Sequence, residues 1–210
     1  MTDTETPRTT GGGNGRNGRA AYDLETVLAI AVGAFNEYGY DATSVGQIAE
    51  RLGTSKSALY YHVSSKEDLL RLALDRALGG LEGVLQEPDA AGGAAGDRLR
   101  AVLRGAVRVL VDELPYVTVL LRLRGNSEIE RAALKRRRAF DHQVAVLVEE
   151  AQAAGSLRAD VDAGTITRLV FGMINSIVEW FRPGGTLTSD GLAADVVAVA
   201  FDGLRVRSDG

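Results

Sequence analysis

TSVGQIAERLGTSKSALYYHVSSKEDLL, residues 43–70, decides how this chain is read. Ser44-Val45-Gly46-Gln47 sets a serine three residues before a glutamine, which is a capping box. It predicts a short helix that buries Val45, Ile48, Ala49 and Leu52 and ends at Gly53. Leu52-Gly53-Thr54-Ser55 has the length and glycine content of the tight turn in a helix-turn-helix. Ser55 caps the next helix, Lys56–His62, where Ala58 and Leu59 can pack inward. Ser64-Ser65-Lys66-Glu67-Asp68 holds overlapping serine caps with acids in the first turn. The helix it starts carries a stripe of Leu69, Leu70, Ala73, Leu74, Ala77 and Leu78 that fades at Gly79-Gly80.

On the N-terminal side, Val27, Ile30, Ala31, Ala34, Phe35 and Tyr38 form one apolar stripe on a helix of about 23–38, stopped by Gly39. Three helices in residues 23–62 are therefore the size of a helix-turn-helix unit. A recognition helix enters the major groove with its N-terminal residues towards the base edges. Ser55, Lys56 and Ser57 offer hydroxyls and an ammonium there; Tyr60, Tyr61 and His62 follow, with groups that donate to phosphate or stack on sugar. The neighbouring caps at Ser44 and Lys66 present free backbone N–H groups, which suit phosphates.

Beyond this unit the chain stays helical. QEPDAAGGAAGD, residues 86–97, reads as a linker. Helices follow at about 98–114, at 116–123 behind Pro115, and at about 127–154 up to Gly155. Another spans about 163–182, with Ile166, Leu169, Val170, Met173, Ile174, Ile177, Val178 and Phe181 on one stripe. Phe171 and Trp180 lie off that stripe, so this helix is apolar on more than one side and calls for a partner as well as its own domain. A last helix covers about 189–205. No strand-period run is present, and the expected class is all-α with about nine helices. Residues 1–20 hold too few apolar side chains to offset the entropy of ordering and are expected to form a disordered tail.

The 210 residues are 45% hydrophobic and 25% charged, with a net charge of −4, so a basic nucleic-acid coat is absent. Residues 1–66 carry six basic and seven acidic side chains, so DNA binding would rest on placement rather than bulk charge. There is no cysteine and only two histidines, His62 and His142. No metal site and no cofactor is expected, and no nucleophile–base–acid constellation suggests an enzyme. The N-terminus lacks the apolar core of a signal peptide, so a cytoplasmic protein with no membrane partner is expected. One segment breaks the acidic balance: residues 98–138 hold eleven basic against four acidic side chains, net +7. Its dense part is LLRLRGNSEIERAALKRRRAFD. Arginine at this density suits phosphate, and by itself it also fits a solvated basic helix face.

Residues 22–70 closely resemble the N-terminal signature of TetR-family transcriptional regulators, with Leu59-Tyr60-Tyr61-His62 and Ser65-Lys66-Glu67 as its most specific part. Val63 departs from the family's usual phenylalanine at a packing position. After the tail that composition predicts over 1–20, the resemblance implies a DNA-binding domain over 21–66 and an effector-binding and dimerisation domain over 67–210. It implies that Ser44, Thr54, Ser55, Lys56, Ser57, Tyr60, Tyr61, His62 and Lys66 face double-stranded operator DNA. It implies a homodimer through the last two helices, where Gly172 and Ser176 permit close approach. A repressor released by a small effector is expected, with Tyr116, Phe140, Phe171, Met173, Asn175 and Trp180 lining the pocket. The basic string and NSIVEWFRPGG, residues 175–185, are also similar to TetR-type regulators that respond to acyl-CoA thioesters. That likeness implies an acyl-CoA effector with Arg122 and Arg124 at the pocket mouth. The rival readings are an effector-independent structural DNA-binding protein, with a filled C-terminal core, and an enzyme acting on a thioester.

Overall fold

The computed structural model describes residues 22–204; the tail expected over 1–20 lies outside them. The described residues form ten helices and no strand. The first is α1 (Leu24–Tyr38), whose N-cap Asp23 accepts the Thr26 N–H at 2.8 Å. It is followed by α2 (Val45–Arg51), which has the full Ser44–Gln47 capping box. Next comes α3 (Lys56–Leu59), capped by Ser55. The expected helix of 56–62 is cut to one α-helical turn. The N–H groups of Tyr61 and His62 bond three residues back, to Ala58 and Leu59, so the chain tightens into turns there. Between α2 and α3, Gly53 takes φ +64°, which lets the chain reverse within the tight turn. Val27, Ala31, Val32 and Phe35 of α1 close over Ile48, Ala49, Leu59 and Val63 to make a small core.

The fourth helix, α4 (Lys66–Val84), does not fade at Gly79-Gly80 as expected but runs through both. The reason is packing against α6 (Ala95–Asp112). A Cβ on Gly80 would stand 2.9 Å from Val109 Cγ1, and one on Gly105 would stand 2.5 Å from Val84 Cγ1. Each helix sets a valine against the other's glycine, so the glycines serve close approach rather than termination. The expected linker of 86–97 is also largely helical: α5 (Pro88–Ala91) adds the tenth helix, and α6 already begins at Ala95. Ala90 is buried, and Arg98 Nε donates to its carbonyl at 3.1 Å, which ties α5 to α6.

The remaining helices are α7 (Leu114–Leu121), α8 (Glu128–Ala153), α9 (Ala163–Trp180) and α10 (Ser189–Leu204). Here α8 packs on α4, α6 and α9, while α10 lies along α6. The short α7 touches both α1 and α4 and so connects the N-terminal unit to the larger bundle. No described helix is long and apolar enough to cross a membrane.

Candidate functional site

Around the turn, the structure gathers polar groups on one side of the N-terminal unit. Ser44 and Ser55 are exposed caps, and Lys56 and Ser57 are exposed in the single turn of α3. Thr54 is half-buried, its N–H bonded to Ala49 O. Tyr60 is exposed, and Tyr61 is 89% exposed, so it does not pack on α1. His62 is half-buried and meets the Tyr61 ring edge-on at 5.6 Å. Lys56 crosses the start of α2, where a Cβ on Gly46 would lie 2.7 Å from its Cε. Lys66 is different. Its Nζ donates to the carbonyls of Tyr40 and Thr43, both at 2.9 Å, and sits 4.3 Å from the Tyr40 ring centroid. That ammonium is held by the loop between α1 and α2, so any contact at phosphate falls to the backbone N–H groups at the start of α4.

A second site lies inside the bundle. Leu81 of α4, Ala106 and Leu110 of α6, Val117, Leu120 and Leu121 of α7, Arg137, Phe140 and Asp141 of α8, and Phe171, Ile174 and Asn175 of α9 wall a narrow chamber. Phe140 and Phe171 meet edge-to-face at 5.6 Å on its wall. The space is about 20 Å³, room for about one water. Leu121, Arg137 and Asn175 also line an outer cavity of about 330 Å³, together with Thr118, Arg122 and Glu179. The chamber and the outer cavity, which Arg122 also lines, thus share Leu121, Arg137 and Asn175 as a common wall. Burial pushes the Asp141 carboxyl above its ordinary 3.8, with the Arg137 charge only partly offsetting this.

Between α1 and α7 a contact network ties the two sites together. Asn36 Nδ2 donates to Pro115 O at one end of α7, and Arg122 at the other end donates to Asn36 O, at 2.8 and 2.7 Å. Arg76 of α4 pairs with Glu25 of α1 and, at 2.6 Å, with Glu113. It also lies over the Tyr116 ring at 4.3 Å.

Residues 27–73 match the model of the tetR family of bacterial regulatory proteins, and residues 92–204 match the tetracyclin repressor-like C-terminal domain. The chain belongs to the TetR family of transcriptional regulators. A TetR-family regulator of solved structure from Streptomyces coelicolor A3 is 47% identical, with a TM-score of 0.81 over 98% of this chain and 96% of that one. The transcriptional repressor KstR2 of Rhodococcus jostii strain RHA1 is 28% identical over 201 residues, 91% of this chain and 93% of its own. AibR, solved with isovaleryl coenzyme A and operator DNA, is 25% identical, with a TM-score of 0.71 over 85% of this chain and 97% of that one.

Within this TetR-type bundle, only part of the expected pocket set reaches the chamber. Phe140, Phe171 and Asn175 do. Tyr116 does not: it is buried at the α1–α4–α7 junction, where its hydroxyl accepts from Arg76 at 3.3 Å. Arg124 lies in the groove between the α1–α2 loop and α7, which it shares with Arg122. Met173 lies half-buried outside the chamber wall, and Trp180 is 48% exposed. Leu169, expected on the inner stripe, is 68% exposed. The sequence reading missed Arg137 and Asp141, which sat inside a basic string without a marked face, although their four-residue spacing puts both on one side of α8. It also missed Glu130. That buried carboxylate accepts the N–H groups of Arg124, Gly125 and Asn126 at 3.2, 2.8 and 3.0 Å and fixes the loop before α8. Four of the basic side chains, Arg98, Arg100, Arg108 and Arg136, are spent on ion pairs, which leaves the outer cavity to Arg122 and Arg137.

Proposed function

We propose that this regulator is a homodimeric repressor that binds a palindromic operator and is released by an acyl-CoA thioester. The observation that carries the effector reading is the chamber: a mostly apolar interior that shares Arg137 and Asn175 with an outer cavity lined by Arg122. The interior suits an acyl chain, and the guanidinium groups suit the phosphates of coenzyme A. The likeness to AibR, solved with isovaleryl coenzyme A and operator DNA, supports the same reading. The DNA contact is assigned to Ser44, Thr54, Ser55, Lys56, Ser57, Tyr60, Tyr61 and His62, with the N-terminal turn of α4 on phosphate.

Dimerisation through α9 and α10 is supported by what those helices leave uncovered. Leu169, Gly172, Ser176 and Trp180 are exposed along α9, and Val199 is 65% exposed on α10. Apolar and small side chains left uncovered on the last two helices suit a two-fold contact between copies.

Coupling follows from size. About 20 Å³ does not hold an acyl chain, so the ligand binds a state in which a wall has moved. Three wall residues come from α7, and α7 is fastened to α1 at both ends through Asn36. Opening the chamber therefore strains the seat of α1 and re-aims the two recognition helices of the dimer. An anionic group in the outer cavity also competes with Asn36 O for Arg122.

The test is thermal unfolding of the purified protein against matched free acids and their CoA thioesters. A ligand bound only by the native state raises the midpoint by mass action. The expected result is a shift with thioesters and little with acids. A shift with acids alone, or with none, overturns the acyl-CoA reading.

A further inference from the structure

Residues 22–66 carry three lysines and arginines against five acidic side chains, so the unit that meets a polyanion is itself acidic. Two of the three cations are spent within the protein. Arg51 pairs with Glu37, and its Nη2 donates to the Tyr38 hydroxyl at 2.8 Å. Lys66 Nζ is held by the carbonyls of Tyr40 and Thr43. Lys56 is exposed, and its ammonium makes no hydrogen bond or ion pair among the described residues. A large share of DNA affinity comes from cations that displace counterions from phosphate. Of the lysines and arginines in this unit, only Lys56 is free to do so.

The place of that ammonium says what it meets. Lys56 is the first residue of α3, where a side chain reaching forward would meet base edges. It reaches sideways instead. A Cβ on Gly46 would lie 2.7 Å from Lys56 Cε and 3.2 Å from its Nζ, so the end of the side chain lies against α2. In a helix-turn-helix the first helix of the pair crosses the DNA backbone, while the second lies in the groove. A cation carried by α3 but laid on α2 therefore stands on the backbone side. Gly46 leaves the room it occupies. The side chains left exposed on and around α3, Ser55, Ser57 and Tyr60, offer hydroxyls.

We propose that Lys56 is the phosphate contact of each recognition unit, and that the bases are read by the hydroxyls of Ser55, Ser57 and Tyr60. This inference rests on the DNA contact proposed above and divides its residues between two roles. Phosphate contacts fix register and carry no sequence information, whereas groove contacts do. Lysine or arginine on guanine is the commonest specific contact in the major groove. Here that contact is absent, so removing the Lys56 charge lowers affinity for every sequence alike and leaves the choice of sequence intact.

The experiment starts from a site that the full chain selects out of random DNA. Affinity for that site, for its single-base-pair variants and for unrelated DNA of the same length is read by fluorescence anisotropy over a range of KCl. Lys56→Gln keeps most of the reach of the side chain and removes its charge, and circular dichroism checks the fold. Each phosphate contact contributes ~0.9 to the slope of log affinity against log salt, so the slope is expected to fall by about 2 for a dimer. Arg8, Arg16 and Arg19 are present in both proteins and do not enter this difference. The loss is expected to be equal for selected and unrelated DNA, with the single-base-pair penalties unchanged. Lys56→Arg is expected to keep the slope. Ser57→Ala and Tyr60→Phe are expected to keep the slope and to flatten the penalty at particular base pairs; if neither alters any penalty, the base-reading half of the proposal is overturned. A slope unmoved by Lys56→Gln, or a penalty flattened by it at one base pair of each half-site, overturns the phosphate half. A full chain that enriches no site overturns the DNA contact on which both halves rest.

Discussion

Gly46 and Lys56 share one space at the start of α2. A methyl group on Gly46 would meet the far end of a flexible side chain, Lys56 Cε at 2.7 Å, so the fold can absorb it but Lys56 must swing away. Alanine is favoured over glycine in a helix by about 1 kcal/mol. Gly46→Ala is therefore expected to hold or raise the thermal midpoint while weakening DNA binding, read by fluorescence anisotropy. A second single-residue expectation concerns Asp141. Burial raises its folded pKa above the ordinary 3.8, so its charged form opposes folding, and the penalty grows as pH rises through the folded value. Asp141→Asn should match the parent's midpoint well below pH 3.8 and exceed it at pH 7. An identical difference at both pH values would mean that the carboxyl is well solvated.

Helices α4, α6 and α7 carry the next level. The reciprocal Gly80–Val109 and Val84–Gly105 contacts set the spacing of α4 and α6. Gly105→Ala forces a Cβ to 2.5 Å from Val84 and is expected to cost about 1–3 kcal/mol in chemical denaturation. For α7, Asn36→Ala removes the Pro115 bond, worth about 1 kcal/mol. The same change removes Asn36 Oδ1, which is buried without a partner. Stability should thus change little. The ratio of DNA affinities with and without a bound thioester should shrink, which a purely structural role would not produce. Legibility differed between these elements. Caps and stripes made α1, α2 and the start of α4 readable from local sequence, because each signal lies within a turn of the residue it governs. Gly79-Gly80 misled because what packs on Gly80 is Val109, on another helix, and residues 86–97 misled because Ala90 is tied down by Arg98, a residue beyond the stretch. The chamber was half legible for the same reason. Phe140, Phe171 and Asn175 stood out by type, whereas Arg137 and Asp141 are distinguished only by the direction they face.

At the scale of the whole molecule, two sites share one bundle and meet through α7. In the proposed function, an effector that prefers an opened chamber and an operator that prefers a seated α1 make opposite demands on the same contacts. Coupling of this kind is reciprocal: whatever factor the effector takes from DNA affinity, DNA takes from effector affinity. The most direct measurement is therefore a linkage experiment on the full-length protein. A palindromic site is first selected from random DNA. DNA affinity is then measured with and without a saturating CoA thioester, and thioester affinity with and without that DNA. The expected result is a loss of at least ~10-fold in each direction, equal within error, as a coupling of roughly 1.4 kcal/mol requires. A thioester that binds tightly while DNA affinity stays unchanged would contradict the account, since a ligand with equal affinity for both states shifts nothing.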